Sequence, residues 1–256
     1  MSQAEIGNEP LSDRKLPVIA IVARALRLPF AHLREIVRYG SIPFGLMLVL
    51  IGISWLLEKV TSSLVVIGWL AIPHLAILAP YEVAVTRIAL LGSKGVEGRS
   101  SYVYGTTERR YFIANLSLLL AAFGPLAVPI LIGYYGHLIL VAALVAIPAT
   151  AVALLLGVRL ALIYPAIALD RYDGIVACWR RTRGSFWRLF AISQMVGWPI
   201  VVLSFIIERV KDAQIGFSYG RIAVPQAVVS MFVWAAIASA RAFAYEFLAT
   251  ELPPPD

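Results

Sequence analysis

The sequence predicts an all-α, polytopic membrane helix bundle with six transmembrane helices and an amphipathic N-terminal helix at the membrane interface. Three features lead there. The 256-residue chain is 60% hydrophobic and only 14% charged, where an average soluble domain is about 45–50% apolar and about 25% charged. The apolar residues gather in six long stretches. The Lys and Arg residues alternate in number between the segments that join them. This composition, with a mean hydropathy of +0.82, excludes a soluble enzyme, a disordered tail and a nucleic-acid module.

The elements follow in chain order. Residues 1–15 are a polar tail. They lack the basic start, apolar core and small-residue cleavage site of a secretory signal, so insertion is expected through internal segments. Residues 16–40 form the amphipathic interfacial helix. Asp13 is a candidate cap, and Pro17 lies near the first turn, where proline is tolerated. Arg24, Arg27, Arg34 and Arg38 share one face of this helix, and Ile19, Val22, Leu26, Leu33 and Val37 lie on the other. An arginine stripe beside an apolar stripe suits anionic headgroups at a membrane surface. The alternative is that the apolar stripe packs on the bundle. Pro29 should bend the helix.

The membrane domain, 41–248, contains the six stretches at 41–57, 64–85, 111–133, 138–158, 189–207 and 222–240. Each meets or approaches the ~20 apolar residues that a helix needs to cross a hydrocarbon core of about 30 Å. Gly-rich turns separate several of them, as at 92–95, 133–136 and 216–220. The segment before the first stretch carries six Lys or Arg residues, and the later segments carry one, five, none, six, three and one. With both termini inside, 18 basic residues fall on the cytoplasmic side and four outside, as the positive-inside rule requires. Five or seven spans would break this alternation. Residues 249–256 are a polar C-terminal tail. The expected location is therefore a bacterial cytoplasmic (inner) membrane, multi-pass, with both ends cytoplasmic.

Net charge +7 and a pI near 9.7 fit Lys and Arg anchoring at an anionic membrane face rather than nucleic acid. A second basic segment, 173–183, reads as a short helix capped by Asp173 and stopped by Gly184. Trp179, Arg180, Arg181, Arg183, Trp187 and Arg188 suit headgroup level, where indole and snorkelling arginine both reside. The expected partners are membrane lipids, anionic ones foremost, with a membrane-protein partner or a second copy as further options.

Residues 158–189 also carry a resemblance. The run Val158-Arg159-Leu160, then Pro165-Ala166-Ile167-Ala168, then Thr182-Arg183-Gly184-Ser185-Phe186-Trp187 resembles the integral-membrane domain of bacterial glycerophosphoryl diester phosphodiesterases and its stand-alone relatives. The Ser-Trp of that family's pattern is displaced here, with Trp179-Arg180 standing near it. Ala244-Tyr245-Glu246-Phe247-Leu248 is similar to the family's last-span ending, and 86–92 resembles a stretch of uncharacterised alphaproteobacterial relatives. The resemblance implies the membrane fold without the catalytic barrel domain, for which this chain has no room. His32, His74 and His137 lie far apart and lack metal-ligand spacing. There is no dinucleotide or phosphate-binding loop, no H-E-x-x-H and no C-x-x-C, and Cys178 stands alone. No catalytic residue, cofactor or metal is expected.

Ionisable groups inside a bilayer are costly and mark function by default. Glu82, Arg87 and Arg159 are the candidate intramembrane polar site, with a Glu82–Arg159 pair as its expected base. Apolar sequence continues beyond Arg159, so either the helix tilts or breaks at Pro165, or Arg159 faces a protein-lined cavity open to the cytoplasm. The favoured function is a non-enzymatic membrane protein that contacts anionic headgroups or membrane-protein partners through its basic cytoplasmic face. The alternative is a transporter or lipid-moving protein with its site near Arg159, at helices broken by proline.

Overall fold

The computed structural model describes residues 16–58, 63–100, 102–135, 139–172, 174–212 and 219–249. Every regular element among them is helical: α1 (Val18–Ala31), α2 (Leu33–Glu58), α3 (Ser63–Leu91), a 3₁₀ turn (Ser93–Val96), α4 (Thr106–Tyr135), α5 (Ile139–Leu160), α6 (Ile163–Ala168), α7 (Ile175–Arg181), α8 (Phe186–Asp212) and α9 (Tyr219–Ala249). Four apolar spans, Leu33–Ile53, Leu70–Leu91, Leu144–Ala168 and Ala227–Ala249, are long enough to cross a membrane. The stretches expected at 111–133 and 189–207 lie within α4 and α8.

The N-terminal segment departs from the expected single helix over 16–40. It divides at His32, whose dihedrals (φ −117°, ψ 38°) leave the helical region. Pro29 sits inside α1, and its missing N–H removes only the bond to the Ala25 carbonyl, one turn before the division. Leu33 onward belongs to α2, which runs on through the first expected span. The expected cap Asp13 lies outside the described residues, and Pro17 occupies the N-cap of α1.

Proline breaks fewer helices than its frequency suggests. Pro43, Pro73, Pro80, Pro148, Pro199 and Pro225 all sit inside continuous helices. The break comes between α5 and α6, at residues 161–162, as expected near Pro165. Pro165 has no N–H to donate to the Ala161 carbonyl, and its ring crowds that same group.

Helix α9 is the centre of the bundle, touching α1, α2, α3, α6 and α8. The sequence explains why. Ala235, Ala236, Ala238, Ala240, Ala242 and Ala244 are buried along it, and small side chains let helix backbones approach closely in a membrane. Ser239 interrupts the alanines without cost, because its hydroxyl donates to the Ala235 carbonyl at 2.7 Å. Tyr81 of α3 adds a cross-helix bond to the Met231 carbonyl at 3.0 Å. Gly40 permits the α2 crossing, since a Cβ there would overlap Met231 and press on Tyr81.

Candidate functional site: a basic end and a buried polar cluster

Contacts between elements gather the basic segments at one end of the bundle. The Tyr39 hydroxyl, early in α2, donates to the Val96 carbonyl at 2.8 Å, and Ser93 Oγ donates to Glu35 at 3.0 Å. Arg99 pairs with Glu108 at the start of α4 at 3.1 Å. Glu108 also caps that helix by accepting from the Gly105 N–H at 3.0 Å. Burial raises the Tyr104 phenol above its ordinary pKa, and Tyr102 and Glu108 add to the rise, so this connection keeps its tyrosine neutral. Arg24 of α1 pairs with Glu246 of α9 at 2.9 Å, and its guanidinium lies over the Phe243 ring at 3.9 Å.

Arg87 and Asp170 fasten three elements there. Helix α6 ends in a Schellman turn: Asp170 N–H donates to the Ile167 carbonyl and Arg171 N–H to the Ala166 carbonyl. Asp170 takes the left-handed conformation (φ 56°) that such a turn requires. Arg87 Nε donates to the Ala168 carbonyl at 2.7 Å, and its Nη2 pairs with Asp170 at 2.9 Å. Thr107 of α4 donates to the other Asp170 oxygen at 2.9 Å. Arg87, a candidate for the polar site, thus closes a helix end, as cations near carbonyl termini do.

Helix α1 presents three faces. Ile21, Val22, Ala25 and Leu28 are buried where it packs on α8 and α9. Ile19 and Phe30, however, are 77% and 71% exposed, and Leu26, Leu33 and Val37 are exposed as well. Of the expected apolar stripe, only Val22 is buried on the bundle. On α1 the exposed apolar strip of Ile19, Leu26 and Phe30 lies between the buried face and Arg27, while Leu33, Arg34, Val37 and Arg38 stand past the corner in α2. Arg27, Arg34 and Arg38 are exposed, and among the described residues no carboxylate lies within ion-pairing distance of them.

The second basic segment resolves into roles that the sequence did not separate. Helix α7 begins at Ile175 with Gly174 as its N-cap, and Asp173 lies outside the described residues. Gly184 follows the helix end at φ +83°. Arg180 and Arg183 are exposed, Arg188 is half-buried, and Trp187 is 75% exposed beside Phe186 and Phe190. Arg181 instead lies over the Tyr245 ring, 5.7 Å from its centroid. Trp179 is half-buried beneath Arg159, whose guanidinium sits 4.6 Å from the ring centroid.

The expected Glu82–Arg159 pair does not form. Glu82, 3% exposed, accepts a 2.7 Å hydrogen bond from the Tyr111 hydroxyl and lies 3.9 Å from Arg241 Nη1. Arg241 also covers the Tyr164 ring at 4.8 Å, and Tyr164 packs on Tyr111 at 5.1 Å between centroids. The cluster therefore joins α3, α4, α6 and α9. Arg159 is held by the α7 indole, and its buried Nε has no hydrogen-bond partner among the described residues. Sequence reading missed Tyr111 and Tyr164. A tyrosine at the edge of an apolar stretch carries no local sign of a carboxylate partner on another helix.

Among the described residues, no group of three His, Cys, Asp or Glu side chains could hold a metal ion. The arrangement offers cation–anion recognition at its surface and a neutralised ion pair inside. Comparison of the chain with family models, curated proteins and solved structures finds no match.

Proposed function

We propose that this chain is a non-enzymatic, six-span membrane protein whose basic cytoplasmic end engages anionic lipid headgroups. The observation that carries the reading is α1. This helix holds a bundle-packed face, an exposed apolar strip of Ile19, Leu26 and Phe30, and exposed Arg27, with exposed Arg34 just past the corner at the start of α2. Water disfavours such a strip, whereas a helix in the interfacial plane buries it among acyl chains while its arginines meet phosphates. Exposed Trp187 beside Arg183 and Arg188 repeats the pairing on another element. The carboxylates gathered at this end are largely matched, Glu108 by Arg99, Asp170 by Arg87 and Glu246 by Arg24, so the surplus charge there is positive.

The orientation belongs to the same proposal. Six spans with both ends cytoplasmic place that basic end at the inner leaflet of a bacterial cytoplasmic membrane. The resemblance to the membrane domain of glycerophosphoryl diester phosphodiesterases supports the membrane-bundle part of this reading. Purification in mild detergent followed by native mass spectrometry tests the function. Anionic lipid retained above its share of the source membrane is the expected result. A stoichiometric protein partner with no such enrichment would replace lipid by protein as the ligand.

A second reading, a transporter or lipid-moving protein, draws on the α5–α6 break. Arg159 stands one turn from that break, its buried Nε has no hydrogen-bond partner among the described residues, and discontinuous helices line the sites of many transporters. Flux through reconstituted vesicles that Arg159→Ala abolishes would favour it.

A further inference from the structure

A groove of about 640 Å³ runs between α4 and the α5–α6 segment, within the roughly 300–1,000 Å³ of sites that hold small ligands. Its walls are apolar: Ile113 and Leu118 of α4 face Ile163 and Ile167 of α6. Its mouth is polar, with Arg110, Asp170 and Tyr172. Along α4 the lining extends from Arg110 to Ala121, about 16 Å of helix rise. That is about half of the ~30 Å hydrocarbon core, the depth of a single leaflet.

The mouth carries net positive charge. Asp170 is matched by Arg87 and bonded by Thr107, both at 2.9 Å. Arg110 is exposed, and no carboxylate among the described residues lies within ion-pairing distance of it. The far wall includes Tyr164, whose ring is fixed by Tyr111 and Arg241, so this side of the groove is rigid.

We propose that this groove seats one anionic glycerophospholipid, with its phosphate at Arg110 and one acyl chain between α4 and α6. The length of the groove sets the chain, and the charge at its mouth sets the headgroup. The inference rests on the lipid-binding reading above and narrows it to one seat on residues outside the α1 and α7 surfaces.

Native mass spectrometry of the full chain in detergent tests the proposal. The protein is titrated with phosphatidylglycerol and with phosphatidylcholine of identical acyl chains. The first phosphatidylglycerol should bind more tightly than later ones and more tightly than phosphatidylcholine. Arg110→Gln should weaken that first event about tenfold, the loss of one charged hydrogen bond. Ala121→Trp, at an exposed position lining the groove, should block the acyl chain with Arg110 intact. Ser117→Phe serves the same end should Ala121→Trp misfold. Arg180→Ala with Arg183→Ala, at the α7 surface that meets headgroups in the wider reading, should weaken the later phosphatidylglycerol additions rather than the first. A first adduct indifferent to both Arg110→Gln and groove filling overturns the seat. If that adduct falls instead with the Arg180 and Arg183 changes, the wider lipid reading stands without the groove. Equal binding of both lipids overturns the two together.

Discussion

The Tyr111 hydroxyl donates a 2.7 Å hydrogen bond to Glu82 and so ties α4 to α3 inside the bundle. Glu82 is 3% exposed and Tyr111 fully buried, with the Arg241 guanidinium 3.9 Å away. A buried carboxylate without a partner is costly, and so is the cation left behind when the carboxylate is removed.

Glu82→Ala should therefore lower stability by about 3 kcal/mol. Tyr111→Phe should cost about 1 kcal/mol, since cross-helix hydrogen bonds in membranes are modest. In the Glu82→Ala background, Tyr111→Phe should cost almost nothing further. Unfolding in mixed micelles measures all three, and additive losses would show that the two residues do not act as a unit.

The arginines of α7 should separate into two kinds. Arg180→Ala with Arg183→Ala, both exposed, should reduce the salt-sensitive preference for anionic lipid and leave the melting temperature unchanged. Arg181→Ala, which removes the cation over Tyr245, should lower stability by about 1 kcal/mol. Thermal unfolding and lipid co-purification on the same preparations check both expectations.

How much of this was legible in the sequence differs by feature. The Lys and Arg counts led to an expectation of sidedness, and Tyr39–Val96, Arg87–Asp170 and Arg24–Glu246 are contacts that counting charges does not name. Pro165 announced the α5–α6 break, because the effect of proline on the preceding turn is local. The division at His32 had no such sign. Histidine is an ordinary helix residue, and here the chain needs a corner so that α1 can reach α8 and α9 while α2 enters the span. The partner of Glu82 was also out of reach. Arg159 and Arg241 look alike in sequence as cations near the inner ends of spans, and only helix packing decides which of them faces α3.

Vesicles containing the chain should move a fluorescent phosphatidylglycerol between leaflets no faster than protein-free vesicles, as a non-transporting module requires. Acceleration that disappears in Arg159→Ala would transfer the account to the broken helix and its cation. Folded protein in both samples is checked by circular dichroism.

Preference for anionic lipid at the basic end is open to direct measurement. Electron spin resonance of the reconstituted full chain with spin-labelled phosphatidylglycerol or phosphatidylcholine reads it most directly, through the fraction of lipid immobilised by the protein. A larger immobilised fraction is expected for phosphatidylglycerol, shrinking toward the phosphatidylcholine value as salt screens the arginines. Equal fractions at low salt would contradict it.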